Sequence, residues 1–92
     1  MNISFAGKNV VVTGASRGIG RSIALAFADC GANVSICARG PEALQKTASE
    51  LKAKGRKVHA AVCDLADAVA VPQYVRDAAA ALGGIDLLVN NA

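Results

Sequence analysis

The glycine-rich run Thr13-Gly14-Ala15-Ser16-Arg17-Gly18-Ile19-Gly20 has the residue types and spacing of an anion-binding loop. It follows the apolar run Val10-Val11-Val12, which predicts a strand, and it precedes a helical pattern. Where a strand turns into a helix, backbone N–H groups and the positive end of the helix dipole favour a phosphate. Gly14 suits the turn, Gly18 a close approach to a pyrophosphate, and Gly20 tight packing of the helix on the sheet. We therefore predict a dinucleotide-binding loop.

Two arginines are predicted to lie in this loop or next to it. Arg17 is inside it, and Arg39 directly follows the second predicted strand, where an NAD-binding fold places an acid and an NADP-binding fold places arginine. The first acid at that corner is Glu42, already in the next predicted helix. The alternative, that both arginines are solvated surface charges, stays open here. Their joint placement predicts NADP as the cofactor in preference to NAD, because guanidinium groups bind phosphate through charge-assisted hydrogen bonds.

Strand and helix patterns alternate along the whole chain, which is typical of βαβ units and a parallel sheet. The strand cores are apolar in succession, as expected for strands that helices cover on both faces. We predict a Rossmann-type doubly wound α/β sheet, N-terminal part, with strand order 3-2-1-4. The predicted strands are Asn9–Thr13, Asn33–Ala38, Lys57–Val62 and Ile85–Asn90; the predicted helices are Gly18 to about Asp29, Pro41–Lys54, and one that begins between Ala68 and Val71 and ends at Gly83-Gly84.

Three motifs in order carry a resemblance to a known family. They are the Thr13–Gly20 loop, Asp64-Leu65 after the third predicted strand, and Asn90-Asn91-Ala92 at the end of the fourth. With this glycine spacing, the chain resembles the classical short-chain dehydrogenase/reductase family. The resemblance implies that Ile19 belongs to the phosphate loop, that Asp64 and Leu65 contact adenine, and that Asn90 and Ala92 line the adenosine ribose and the pocket floor. The predicted cofactor-binding residues are Gly14, Ser16, Arg17, Gly18, Ile19, Gly20, Arg39, Asp64, Leu65, Asn90 and Ala92.

The same resemblance implies hydride transfer between a nicotinamide dinucleotide and a small carbonyl or alcohol substrate. The family's catalytic serine, tyrosine and lysine come from later strands and helices, so we predict no catalytic residue within these 92 residues and no activity for them alone. We expect residues 1–92 to be the N-terminal part of one NAD(P)-binding domain, truncated after the fourth strand. The alternative is a complete, non-catalytic module that binds a dinucleotide or a partner.

Three other residue types suggest chemistry that the sequence does not support. Tyr74 lacks the lysine four positions later that the family's catalytic tyrosine has, since Ala78 stands there; we interpret Tyr74 as a surface or half-buried packing residue. His59 has no partner in the pattern, so we expect a structural role. The cysteines have neither CxxC spacing nor histidine partners, which predicts small core residues and no metal site. They are Cys30, Cys37 and Cys63.

Composition and charge exclude several other classes of function. The net charge of +3 is spread among acidic residues and the chain has few aromatic residues, which disfavours a nucleic-acid partner. No apolar run approaches the roughly 20 residues of a membrane span, and the N-terminus lacks a signal-peptide pattern, so we expect a cytoplasmic protein without a membrane partner. Residues 1–92 by themselves are expected to aggregate, to form a swapped dimer or to remain partly unfolded, because the edge at Leu87-Leu88-Val89 offers unpaired backbone groups. The expected state of the parent protein is a homo-oligomer.

Overall fold

The computed structural model describes residues 3–91, in which strands and helices alternate as the sequence predicts. Parallel pairing joins the strands in the order β3-β2-β1-β4, so both the predicted α/β fold and its strand order are confirmed. The elements are β1 (Asn9–Thr13), α1 (Gly18–Asp29), β2 (Asn33–Ala38), α2 (Pro41–Lys52), β3 (Val58–Val62), α3 (Ala70–Leu82) and β4 (Leu87–Val89).

The sheet is a middle layer with a hydrophobic core on each face. Along β1, Val10 and Val12 belong to the larger core, which α1 and α2 cover, whereas Val11 belongs to the smaller core under α3. All three valines are fully buried. This explains the unbroken apolar run of β1, because successive side chains of a strand point to opposite faces and both faces are covered. The expected cover on both faces is not found at β4, where Leu87 and Leu88 are 39% and 55% exposed.

Two strands are shorter than predicted, and side chains take part in the hydrogen bonds at their ends. Before β3, the Lys57 N–H donates to Asn33 Oδ1 at 3.1 Å and leaves the ladder to begin at Val58. At the start of β4, Asp86 Oδ2 accepts the Asn9 N–H at 2.8 Å, and the Asp86 N–H donates to the Asn9 carbonyl at 2.8 Å. At its other end, Asn90 Oδ1 accepts from the Thr13 hydroxyl at 3.1 Å, outside the ladder.

The ambiguous start of α3 lies at Ala70 because Asp67 provides acceptors just before it. Asp67 Oδ1 accepts the backbone N–H groups of Val69 and Ala70 at 2.9 and 3.1 Å. These bonds satisfy donors that have no partner within the helix. Helix α2 ends at Lys52, two residues earlier than predicted, where the chain turns through a bond from the Lys54 N–H to the Leu51 carbonyl at 3.0 Å.

The interpretation of Tyr74 as a surface or half-buried residue is wrong, since Tyr74 is only 4% exposed. Its hydroxyl lies 2.6 Å from Ser35 Oγ, and Ser35 Oγ lies 2.9 Å from His59 Nδ1. The Tyr74 ring stacks on the His59 ring with centroids 5.9 Å apart. Burial of the phenol is possible because Ser35 gives its hydroxyl a partner inside the core. His59 has the structural role expected of it.

We expect Tyr74→Phe to lower the free energy of unfolding by about 1 kcal/mol, the usual net value of one hydrogen bond. Ser35 is fully buried and would keep only its bond to His59. Urea denaturation of the full gene product checks this prediction. Val75→Ile, which changes a neighbouring half-buried side chain without touching the hydroxyl, is the control. A Tyr74→Phe protein as stable as wild type would contradict the assigned bond.

The same tyrosine predicts a pH dependence. Burial raises the pKa of the Tyr74 phenol, because the apolar surroundings disfavour phenolate. Tyr74 then contributes stability fully below its unfolded pKa of about 10, and the contribution is lost as pH rises from there through the folded-state pKa. Between about pH 10 and 11 we therefore expect wild type to lose more stability than Tyr74→Phe in urea titrations. Equal losses in the two proteins would contradict this expectation.

The predicted burial of the cysteines holds for Cys37 and Cys63 but not fully for Cys30. Cys37 and Cys63 are 0% and 4% exposed and lie in the core under α3, whereas Cys30 is half-buried at the end of α1. Cys30 is the C-cap residue of that helix, where the chain turns toward β2, so only one side of it is covered. All three thiols are free.

Candidate functional site

A cavity of about 810 Å³ opens at the carboxyl ends of the strands. Each strand contributes residues at or just beyond its last position, and the loop after β1 forms one wall. Ligands of doubly wound sheets bind at this edge, in the crevice where the strand order reverses. The lining residues are Gly14, Ser16, Arg17, Ala38, Arg39, Gly40, Cys63, Asp64, Leu65 and Asn91.

The glycines of the loop allow a close approach between the loop, α1 and the end of β4. A Cβ on Gly14 would lie 2.3 Å from the Asn91 carbonyl oxygen, and Gly14 also has a φ of +62°, which side chains rarely tolerate. A Cβ on Gly20 would lie 2.2 Å from the Gly14 carbonyl oxygen. A Cβ on Gly18 would meet nothing within 4 Å. Gly14 and Gly20 therefore permit packing within the protein, while the space beside Gly18 stays open.

Three neighbouring elements hold the backbone of the loop. The Asn91 side-chain amide donates to the Gly14 carbonyl at 3.2 Å, and the Ala15 N–H donates to the Cys37 carbonyl at 3.2 Å. From α2, the Thr47 hydroxyl donates to the Ser16 carbonyl at 3.1 Å. The loop is thus held by the end of β4, by β2 and by α2. Preorganised N–H groups of this kind bind an anion without a further ordering cost.

The basic end of the cavity contains both predicted arginines. Arg17 is the N-cap residue of α1, in extended backbone conformation, and Arg39 directly follows β2; both are exposed. Gly40 lies between Arg39 and the first residue of α2, Pro41, so the chain turns sharply here. Glu42 follows in the first turn of α2 and does not line the cavity. Two cations therefore face one cavity with no carboxylate at the end of β2.

Of the other predicted contacts, Asp64, Leu65 and Asn90 line one of two cavities, whereas Gly18, Ile19 and Gly20 line neither of them. Asp64 and Leu65 line the main cavity just after β3, and Asp64 also stabilises its own turn by accepting the Ala66 N–H at 2.9 Å. Asn90 lines an adjoining cavity of about 310 Å³, which Leu65 shares. Ile19 and the other residues at the start of α1 lie beside the loop, with Ile19 73% exposed. Ala92 lies outside the described residues.

Sequence reasoning missed some of the residues that form this cavity. Asn91 was grouped with its neighbours as a motif but not assigned a contact, although it lines the cavity and bonds to Gly14. Its position directly after β4 was the available signal. Cys63, beside Asp64, and Gly40, beside Arg39, also line the cavity, and their adjacency to predicted contacts was the signal for both. Nothing in the sequence pattern indicated the bond from Thr47 to the loop.

The pKa values of two groups near the site are shifted, and each shift has a structural cause. Burial raises the pKa of the Cys37 thiol, and the nearby Cys63 contributes in the same direction, so Cys37 stays neutral beneath the cavity. On the outer surface, Glu50 of α2 accepts hydrogen bonds from Arg21 of α1, and this bond holds the pKa of the Glu50 carboxyl below its usual value. The pair is partly exposed and contributes little to stability.

Within residues 3–91, no helix has the length and apolar character to cross a bilayer. In the same part of the chain, no three side chains of the histidine, cysteine, aspartate or glutamate type lie together as a metal ligand set would.

The fold and the site together define a class of protein. A parallel sheet in the order β3-β2-β1-β4, with a glycine loop after β1 and a cavity at the carboxyl ends, is the N-terminal half of a Rossmann-type dinucleotide-binding fold. The family model described as short chain dehydrogenase matches residues 8–92. The chain belongs to this family of oxidoreductases and covers the N-terminal part of its members, so the resemblance in the three motifs is confirmed.

Known relatives agree with this assignment. The chain is 44% identical over 86 residues to a 3-oxoacyl-(acyl-carrier-protein) reductase of Staphylococcus aureus, covering 92% of this chain and 35% of the relative. L-Sorbose reductase from Gluconobacter frateurii, solved with NADPH and L-sorbose, matches with a TM-score of 0.93 and 40% identity over 100% of this chain and 35% of that one. The F189W variant of actinorhodin polyketide ketoreductase, solved with NADPH, matches with a TM-score of 0.87 and 36% identity over 92% of this chain and 33% of that one.

These relatives are longer than the chain. It spans about a third of the length of the first curated relatives it matches, with 30%, 32% and 32% of each covered. The resemblance implies a catalytic serine, tyrosine and lysine, and we predict that they lie outside these residues.

Proposed function

We propose that this chain is the NADP(H)-binding part of a short-chain oxidoreductase that transfers hydride between nicotinamide and the carbon of a carbonyl or alcohol. The observation that carries this proposal is that Arg17 and Arg39 line the same cavity as Gly14 and Ser16 of the glycine loop. An NAD-binding site needs a carboxylate where Arg39 lies, and that carboxylate would repel a 2′-phosphate. Two guanidinium groups instead favour a cofactor that carries this phosphate.

The residues present fit such a cofactor. The open space beside Gly18, where an added Cβ would meet nothing within 4 Å, leaves the loop backbone free to approach a pyrophosphate at the start of α1. Bound NADPH would supply the hydride for reduction of a carbonyl, and bound NADP+ would accept it in oxidation of an alcohol. In this assignment the loop from Gly14 to Gly20 binds the pyrophosphate, and Ser16 contributes to the same wall.

The adenosine half of the cofactor would bind the residues after β3 and β4. Leu65 gives the adenine ring an apolar contact, and Asp64 offers carboxylate oxygens beside it. We assign Asn90 and Ala92 to the adenosine ribose and the floor of the pocket. Two NADPH-bound relatives with TM-scores of 0.93 and 0.87 support the choice of NADP.

We propose further that residues 1–92 form part of a longer, homo-oligomeric cytoplasmic enzyme, whose remaining residues supply the catalytic groups. The support is the share of about a third that the chain covers in its curated relatives. Exposed Leu87 and Leu88 on β4 add to it, because finished sheets normally cover such an edge.

Turnover by the full gene product tests this function. We expect NADPH to be oxidised in the presence of small ketones and aldehydes, and to remain reduced without them. NADH should support the reaction poorly at the same concentration. Saturable NADPH binding without turnover of any carbonyl or alcohol would favour the non-catalytic module instead. A protein of 9.3 kDa in cells would favour that module as well.

A further inference from the structure

The hydroxyl of Thr47 is a polar group inside the larger core, directed at the glycine loop. Thr47 lies in the middle of α2 and is 1% exposed, on the helix face that also buries Leu44, Ala48 and Leu51. Its Oγ1 donates to the Ser16 carbonyl oxygen at 3.1 Å. Valine has nearly the same size and shape as threonine, so packing alone does not require the hydroxyl.

The bond fixes the direction of a backbone N–H group at the cavity. Ser16 and Arg17 share one planar trans peptide unit, in which the carbonyl and the N–H point in opposite directions. Because the Ser16 carbonyl points to α2, the Arg17 N–H points away from α2. Arg17 is the N-cap residue of α1 and lines the cavity, so this N–H belongs to the helix start where an anion binds.

The other two bonds to the loop hold earlier residues. Asn91 holds the Gly14 carbonyl, and the Cys37 carbonyl accepts the Ala15 N–H. Both partners belong to the sheet or follow it directly. Thr47 instead holds the loop from α2, the helix that begins two residues after Arg39. A single rigid helix thus links the residue proposed to bind the 2′-phosphate with the peptide unit proposed to face the pyrophosphate.

We propose that Thr47 is a positioning residue for dinucleotide binding, which aims the Ser16–Arg17 peptide unit at the pyrophosphate without touching the cofactor. The inference rests on the proposed function, because it assumes that the loop binds a dinucleotide. Loss of the hydroxyl leaves the Ser16 carbonyl without this donor and lets the peptide unit rotate. Part of the binding energy is then spent on ordering the loop.

The test compares Thr47→Val with Thr47→Ser in the full gene product. Loss of one neutral hydrogen bond corresponds to roughly a three- to tenfold change in an equilibrium constant. We therefore expect Thr47→Val to weaken NADPH and NADH binding by the same factor in this range, since both contain the pyrophosphate. Binding of adenosine 2′-monophosphate, which lacks the pyrophosphate, should change less than about twofold. Thr47→Ser keeps the hydroxyl and should restore dinucleotide affinity.

Ala48→Gly is the matched control for stability. Ala48 is the next residue of α2, equally buried, and glycine there weakens the helix without removing a bond to the loop. We expect its dinucleotide affinities to equal those of wild type when both proteins are fully folded. Titrations at a temperature well below the unfolding transition of each variant keep folding losses out of the comparison.

Several results would overturn the inference. Unchanged dinucleotide affinity in Thr47→Val would do so, and so would an equal loss in Thr47→Ser or Ala48→Gly. Amide hydrogen exchange without cofactor gives an independent readout. The Arg17 and Gly18 amide hydrogens should exchange faster in Thr47→Val than in wild type, and unchanged rates would count against a positioning role for Thr47. If wild type binds neither dinucleotide, the proposed function fails with the inference. If wild type binds the dinucleotides and Thr47→Val binds them with the same affinity, the inference fails and the proposed function stands.

Discussion

Gly20→Ala is expected to weaken NADPH binding by roughly 100-fold, because it forces α1 away from the loop it follows. The new Cβ would lie 2.2 Å from the Gly14 carbonyl oxygen and 2.6 Å from Asn91 Nδ2. The nearest of these atoms is backbone, so no side-chain rotation relieves the clash. The start of the helix and the loop must separate, and the N–H groups proposed to bind the pyrophosphate then lose their common direction.

Isothermal titration of NADPH into wild type and Gly20→Ala checks this result. Overpacking also costs about 1–3 kcal/mol of stability, so thermal unfolding is measured alongside and both proteins are titrated while folded. Gly55→Ala is the matched control: its Cβ meets nothing within 4 Å, and its φ of +80° makes the substitution strained but remote from the cavity. Wild-type affinity in Gly20→Ala would contradict the proposed role of the loop.

Arg39→Asp is expected to weaken NADPH binding by about 100-fold or more while changing NADH binding by less than about threefold. The substitution removes a charge-assisted hydrogen bond to the 2′-phosphate and places a carboxylate where it repels that phosphate. NADH carries a ribose hydroxyl instead, to which an acid at this corner can bond. The preference between the two cofactors should therefore reverse or disappear.

Paired titrations with NADPH and NADH measure this change in preference. Arg56→Asp carries the same change of charge in the segment between α2 and β3, outside the cavity, and controls for the altered net charge. Arg39→Lys keeps the charge without the planar fork and should give an intermediate loss for NADPH. Equal losses of NADPH and NADH affinity in Arg39→Asp would remove the NADP assignment.

The sequence predicted the fold well because its local signals agree with one another. The bounds of β1, β2 and α1 match the structure at both ends, since Gly14 and Gly31 mark their limits and the strand cores are apolar on both faces. The short β4 was not predictable in detail. Its ends depend on side chains of Asp86 and Asn90 that bond across the sheet, which no local pattern reveals.

The site was less predictable than the fold. Glycine and arginine positions follow from the spacing of a dinucleotide loop, and the structure gathers Gly14, Arg17 and Arg39 into one cavity. The bond from Thr47 to Ser16 joins residues 31 positions apart, and it becomes visible only once α2 is packed. Tyr74 is different, because apolar residues at helical spacing around it, Val71, Val75 and Ala78, indicate a buried position in the sequence itself.

The structure of the full gene product with NADPH tests the central claim most directly. We predict that the 2′-phosphate lies within hydrogen-bonding distance of the Arg17 and Arg39 guanidinium groups, and that loop N–H groups between Gly14 and Gly20 donate to the pyrophosphate. A cofactor bound away from the carboxyl ends of the strands, or a 2′-phosphate that neither arginine contacts, would contradict the account.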